Sequence, residues 1–305
     1  MDSLRNKIKG ISILLAIAGL TWVTAAAGQS ETKVNSEFAL FSPAKGVWYT
    51  NSSDGCAFVA IRWGMTTDKL VPADYDGDGQ VDAAVWRPTS GTWFIRRSSD
   101  AKAQILNFGG NQISGSDVPV PADYDGDGKA EAAVWRSTTG EWIYGSTKRT
   151  PVIFGVAGDV PVPADYDGDG RADLAVYRPT DNRWMILQSS DGTLRSVVFG
   201  KAGQQTLVPA DYTGDGKADL AVYSTGKWLV LNSETGEIEP FVFGFDDDIA
   251  APGDYDGDGT ADFAVYRKGT WYIYESGKPN FRTFEFGNAD DVPLNAALTR
   301  NSFSP

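Results

Sequence analysis

With 305 residues, of which 42% are hydrophobic and 22% charged, the chain is long and apolar enough to bury a core. Its net charge of −13 argues against nucleic acid as a partner. It contains no histidine, which excludes a His-based triad, an imidazole acid or base, and any zinc, copper or iron site that relies on His ligands. The single cysteine, Cys56, rules out an intrachain disulfide and reads as a small buried apolar residue rather than a reactive thiol.

The chain opens with Arg5, Lys7 and Lys9, an apolar run over 11–23 and then Ala25-Ala26-Ala27. That order reads as a secretory signal peptide over 1–27. The run is shorter than the ~20 residues that span a bilayer, and no later run is longer, so no membrane span is expected after cleavage. The expected mature chain, 28–305, is one domain placed outside the cytoplasm, whether secreted, periplasmic or on the cell surface. It carries 24 basic against 39 acidic groups, because residues 1–27 take with them Arg5, Lys7, Lys9 and Asp2. Asn51-Ser52-Ser53 is its single glycosylation sequon.

Residues 37–64 read as an incomplete repeat: Phe38-Ala39-Leu40-Phe41 as a strand, Trp48 at the centre of the next, and Trp63-Gly64 as an aromatic-Gly ending. Five full repeats follow, beginning at Asp74, Asp123, Asp165, Asp211 and Asp254, with spacings of 49, 42, 46 and 43 residues. Each runs through an acidic loop, a short apolar segment such as LAVYR at 174–178, and a Trp-centred segment. Each then ends in aromatic-Gly, as at Phe199-Gly200. The segments are short, β-branched or aromatic, and bounded by Gly, Pro, Ser and Thr, which predicts strands. With the VPVPAD-like stretch before each loop, every repeat supplies four.

The expected fold is therefore all-β: a β-propeller of six blades, each of four antiparallel strands. Residues 291–297 match a first strand and then stop, so the two ends of the chain are expected to pair and close one blade without an open sheet edge. Trp48, Trp93, Trp142, Trp184, Trp228 and Trp271 recur once per blade. A residue that repeats with the architecture reads as core rather than as a sugar platform.

The acidic loops have the form D-x-D-G-D-G-x-x-D. The first holds Asp74, Asp76, Asp78 and Asp82; the second Asp123, Asp125, Asp127 and Glu131; the third Asp165, Asp167, Asp169 and Asp173. The fifth holds Asp254, Asp256, Asp258 and Asp262, while the fourth departs, with Asp211, Thr213, Asp215 and Asp219. Calcium takes six to eight oxygens at about 2.3–2.6 Å, and alternating carboxylates on a tight turn can deliver them to one centre. The seventh residues, Gln80, Lys129, Arg171, Lys217 and Thr260, would add a backbone carbonyl, which leaves their side chains free to differ. Four to five Ca²⁺ ions are expected, the Thr213 loop being the poorest site. Carboxylates this close repel one another without a counter-ion, so calcium is expected mainly as a structural staple in place of disulfides.

The loop, followed by A-V-Y-R, a Trp segment and F-G, resembles the FG-GAP and VCBS repeat family, whose fold is similar to the propeller of integrin α-subunits. The resemblance implies calcium loops between the first and second strands of blades. It implies an extracellular or cell-surface binding or adhesion module, recognising a protein or a glycan through loops on one face, monomeric and not an enzyme. The competing expectation is a catalytic or non-catalytic part of a polysaccharide lyase or hydrolase, which would need a pair of carboxylates outside the repeat.

Overall fold

A computed structural model describes residues 38–51, 58–110, 117–145, 149–201, 203, 205–277 and 280–294. The expected signal peptide, Cys56, and Ser52 and Ser53 of the sequon lie outside these residues.

The apolar segments of each repeat form strands, and their burial falls off within each sheet. Leu174–Arg178, which follows the acidic loop of its repeat, is buried on both faces over its first four residues. The Trp-centred Arg183–Leu187 alternates between buried and half-buried, while Leu194–Val198 is exposed at every second residue. A strand covered on both faces needs a run of apolar residues, and one that borders water needs only alternation.

Six antiparallel sheets of four strands result, one per blade. Blade 2 comprises Lys69–Leu70, Ala83–Arg87, Thr92–Arg96 and Ala103–Asn107. Blade 3 comprises Asp117–Pro119, Ala133–Arg136, Glu141–Tyr144 and Val152–Ile153. Blade 4 begins with Val160–Pro161 and continues through Leu174–Arg178, Arg183–Leu187 and Leu194–Val198. Blade 5 comprises Thr206–Leu207, Leu220–Ser224, Lys227–Leu231 and Ile238–Val242. Blade 6 comprises Ile249–Ala250, Phe263–Arg267, Thr270–Glu275 and Asn280–Glu285.

Blade 1 takes Phe38–Ser42, Val47–Asn51 and Phe58–Arg62 from the beginning of the chain and Val292–Pro293 from its end. Leu40 pairs with Pro293 and Phe41 with Val292, so the ends close the ring as the repeat pattern predicts. The seam is packed as well as hydrogen-bonded. Leu294 is buried with Phe41, Trp48 and Val85, and Phe38 stacks on Tyr255 of blade 6 with ring centroids 5.2 Å apart.

The six recurring tryptophans are all core, none more than 2% exposed. Five of them donate their indole N–H to the carbonyl of the aromatic residue that ends the repeat, as Trp184 does to Phe199 at 3.1 Å and Trp228 to Phe243 at 2.9 Å. Trp93 instead stacks on Phe108, with rings 9° from parallel. The glycine after that aromatic residue is fixed by the neighbouring blade. Gly64 has φ +85°, and a Cβ there would lie 2.7 Å from Val85. Less regular aromatics divide: Trp86 and Trp135 are buried, whereas Phe245 is exposed.

Candidate metal centres

Each acidic loop joins the first and second strands of its blade and is pinned at its base by one isolated bridge, Ala73 to Asp82 in blade 2 and Ala164 to Asp173 in blade 4. The tyrosine at the second position anchors the loop in the core. Tyr75, Tyr124, Tyr166, Tyr212 and Tyr255 donate their hydroxyls to the carbonyls of Val71, Val120, Val162, Val208 and Ala251 at 2.7 to 2.8 Å. The turn then wraps its own first carboxylate. Asp165 accepts from the amides of Gly168 at 2.6 Å and Gly170 at 2.8 Å, and both glycines have φ near +80° (81° and 82°), where a Cβ is strained.

Four of the five loops gather carboxylate oxygens within 4.8 Å of one another. In blade 3 all four predicted acids, Asp123, Asp125, Asp127 and Glu131, meet. In blade 2 the group is Asp74, Asp76 and Asp78; in blade 4 it is Asp165, Asp167 and Asp173; in blade 6 it is Asp254, Asp256 and Asp262. Asp169 is drawn away by Arg171, whose guanidinium donates to it through Nε and Nη2. In blade 5 Asp211, Asp215 and Asp219 form no such group among the described residues, because Thr213 stands where the middle carboxylate would be.

The residues present fit a bound cation. Asp76 Oδ1 is buried in its cluster with no hydrogen-bond partner among the described residues, and a buried carboxylate oxygen without a partner is costly. The ninth-position acids Asp82, Asp173, Asp219 and Asp262 are fully buried. Burial pushes their carboxyls above the ordinary range, opposed by hydrogen bonds from the backbone, and it pushes Glu131 and Asp256 up as well. A hard divalent cation would offset that desolvation and the mutual repulsion together.

Three features of the site escape a reading of the loop motif alone. A serine five residues after the central Trp reaches back to the loop: Ser98, Ser189, Ser233 and Ser276 give their amides to Asp82, Asp173, Asp219 and Asp262 at 2.6 to 2.8 Å. The hydroxyls of the first three also donate to the fifth-position acids Asp78, Asp169 and Asp215. The constant Trp-to-Ser spacing was the available signal.

The seventh-position side chains are not free. Those of Lys129, Arg171, Lys217 and Thr260 lie against Gly77, Gly126, Gly168 and Gly214 of the preceding loop, within 3.0 Å of where a Cβ would stand. Only Gln80, with no acidic loop before it, escapes this. The amides of all five donate to the fifth-position acid of their own loop.

Arginine and aspartate residues 19 apart also pair in four blades, as Arg87 with Asp68, Arg136 with Asp117, Arg178 with Asp159 and Arg267 with Asp248. They tie the start of the first strand to the end of the second in these four blades.

A six-bladed propeller with acidic, cation-ready loops between first and second strands defines the class of this protein. The chain carries FG-GAP-like repeats, the model of that family matching residues 74–134 and 165–222. A comparison with curated proteins found no match. Among solved structures, the chain is similar to an Agrocybe aegerita lectin specific for non-reducing terminal N-acetylglucosamine (TM-score 0.53, 16% identity, covering 89% of this chain and 84% of the lectin). It is also similar to TolB from Acinetobacter baumannii (TM-score 0.58, 13% identity, covering 84% of this chain and 65% of TolB). A third is virginiamycin B lyase from Staphylococcus aureus (TM-score 0.50, 8% identity, covering 84% and 86%). At these identities the likeness is one of fold. No helix among the described residues is long and apolar enough to cross a membrane.

Proposed function

We propose that the chain is an exported, calcium-stabilised binding propeller that recognises a protein or a glycan outside the cytoplasm and catalyses no reaction. The observation that carries the calcium reading is the recurrence, in four blades, of three or four carboxylates converging within 4.8 Å on a glycine-turned loop. Oxygen-only ligands, several to a site, suit calcium better than magnesium, which keeps its waters and needs few protein ligands. The binding reading rests on a rigid ring whose loops are presented at its faces, the usual way such scaffolds are used. The fold also serves a lectin, which makes a glycan one of the two partner classes to test first.

A calcium titration from a chelated start, following bound metal and thermal midpoint, tests the proposal. Four or five ions and a large rise in midpoint are expected, blade 5 filling last. No more than one ion, with an unchanged midpoint, would leave the loops as plain Asp-Gly turns. A glycan array run with and without chelator then separates the partner classes. Specific retention identifies a glycan, and release of a new reducing end would overturn the non-catalytic reading.

A further inference from the structure

Blade 5 departs from the repeat at three positions that meet in one place. Where blades 2, 3, 4 and 6 have the Arg–Asp pair, blade 5 has Ser224 and Gln205. Blade 1 lacks the arginine, with Ser42, but keeps Asp291. Blade 5 alone lacks both partners. The third departure is at the residue after aromatic-Gly. It is uncharged in Met65, Gly110, Val156, Phe245 and Asn288 but is Lys201 ahead of blade 5.

In blade 6 these positions are filled. The Arg267 guanidinium lies 4.4 Å from the Phe245 ring centre and 4.5 Å from that of Tyr272, and its Nη2 reaches Asp248 at 2.6 Å. In blade 5 the tyrosine is replaced by Leu229, the ring of Phe245 by the Lys201 side chain, and the guanidinium by a hydroxymethyl group. The result is a pocket of about 300 Å³ on the face of blade 5 that packs against blade 4. That volume lies at the small end of the range for small-molecule sites.

The strand register orders its walls. Ser224 lies opposite Lys227, and Lys227 opposite Val242; one step inward Val222 lies opposite Leu229, and Leu229 opposite Pro240. Gln205, next to Thr206 which pairs with Tyr223, extends the outer row on the blade 4 side. The outer row thus carries Gln205, Ser224 and Lys227, with Lys201 beside it and Val242 at its end, and the inner row is apolar. No acidic side chain lines the pocket among the described residues, although the chain as a whole carries a net charge of −13.

We propose that this pocket binds a small organic carboxylate with an apolar body about one ring in size. Its carboxylate faces the Lys201 and Lys227 ammonium groups, and its body lies on Val222, Leu229 and Pro240. A cationic rim over an apolar floor selects this class over a neutral sugar, which offers no charge.

The test is a calorimetric titration of the calcium-saturated chain with 3-phenylpropanoate, its neutral amide and glucuronate. The carboxylate is expected to bind, the amide about tenfold more weakly or worse, and glucuronate more weakly than 3-phenylpropanoate. The double variant Ser224→Arg with Gln205→Asp rebuilds the pair of the other blades; it is expected to fill the pocket and abolish binding. Lys227→Met, at an exposed position, is expected to weaken binding about tenfold with the midpoint unchanged, and it decides the matter if the double variant does not fold. No binding of the carboxylate, equal binding of the amide, or binding untouched by these variants would overturn the proposal; glucuronate binding in preference would overturn its apolar half. Because calcium is saturating throughout, failure here leaves the metal reading unaffected.

Discussion

The amide of Ala172 donates to the carbonyl of Asp123 at 2.6 Å, and through it the acidic loop of blade 4 hangs on that of blade 3. The same bond joins Ala130 to Asp74, Ala218 to Asp165 and Ala261 to Asp211, so all five loops form one chain from blade 2 to blade 6. Each link comes from the eighth position, one residue after the side chain that covers the preceding loop's glycine.

Loops linked in this way should fill together rather than singly, because ordering one loop fixes a hydrogen-bond donor or acceptor of the next. Calcium binding is therefore expected to be positively cooperative. Asp167→Asn, which cripples the blade 4 site, is expected to weaken the neighbouring blade 3 site more than the blade 2 site. Isothermal titration of the variants measures this; equal, independent sites in the parent chain would refute the coupling.

The buried ninth-position acids set the pH dependence. Their folded pKa values are raised by burial, so the metal-free folded chain takes up protons before the unfolded chain does. Stability of the chelated protein should therefore rise as pH falls from neutrality through these raised values and level off near the ordinary carboxylate range of about 4. The calcium-loaded protein should do the reverse over the same window, since protons and metal compete for the same oxygens. Thermal midpoints across that window, with chelator and with excess calcium, should converge toward acid pH. Parallel curves would show that these acids do not hold the metal.

Ser189 accounts for two hydrogen bonds to the blade 4 acids, its amide to Asp173 and its hydroxyl to Asp169 at 2.9 Å. Ser189→Ala keeps the first and removes the second. When a cation draws Asp169 off Arg171 and in beside Asp165, Asp167 and Asp173, that hydroxyl orients a ligating carboxylate, and such groups are commonly worth about tenfold or more in metal affinity. A loss of that order at one site, with the metal-free midpoint unchanged, is expected from a site-resolved titration.

Asp159 has a side chain only 1% exposed and is held by Arg178 through two bonds of 2.7 and 2.9 Å. Arg178→Ala leaves that buried carboxylate with the Val156 amide. The expected cost is about 2–3 kcal/mol, read from denaturant unfolding. Arg178→Lys should recover less than half, because an ammonium cannot repeat the two parallel bonds.

The blades and the acidic loops were legible in the sequence for one physical reason: each rests on local patterns repeated five times. The alternation in Arg183–Leu187, the Gly168 and Gly170 turn and the spaced acids all act within a few residues of one another. Even the closure was legible, because a strand missing at one end and present at the other leaves complementary halves. What local pattern cannot convey is contact across blades. The side chain of Lys129 on Gly77 and the amide of Ala130 on Asp74 join residues about fifty positions apart, and nothing in either loop announces the other. The Arg–Asp pairs lay between the two cases: their spacing of 19 is constant, yet the aspartate sits at the entrance to the first strand of its blade and reads as a turn residue. The blade 5 pocket is visible only as a failure of that pairing, which requires the pairing to be known first.

Closure itself is open to test. Val292–Pro293 contributes only two paired residues to blade 1, so backbone bonding alone gives a weak seam. Leu294, 2% exposed and packed with Trp48 and Val85, supplies the apolar part of it. Leu294→Ala is expected to cost about 2–4 kcal/mol, as large-to-small changes in a packed core do. Ending the chain at Gly287 should do more, since it strips the partner from Phe38–Ser42 and exposes the edge of a buried strand whose first four residues are apolar. Such a chain is expected to self-associate through that edge. Light scattering distinguishes the outcomes: a monomer of unchanged stability would mean that the ring does not depend on its seam.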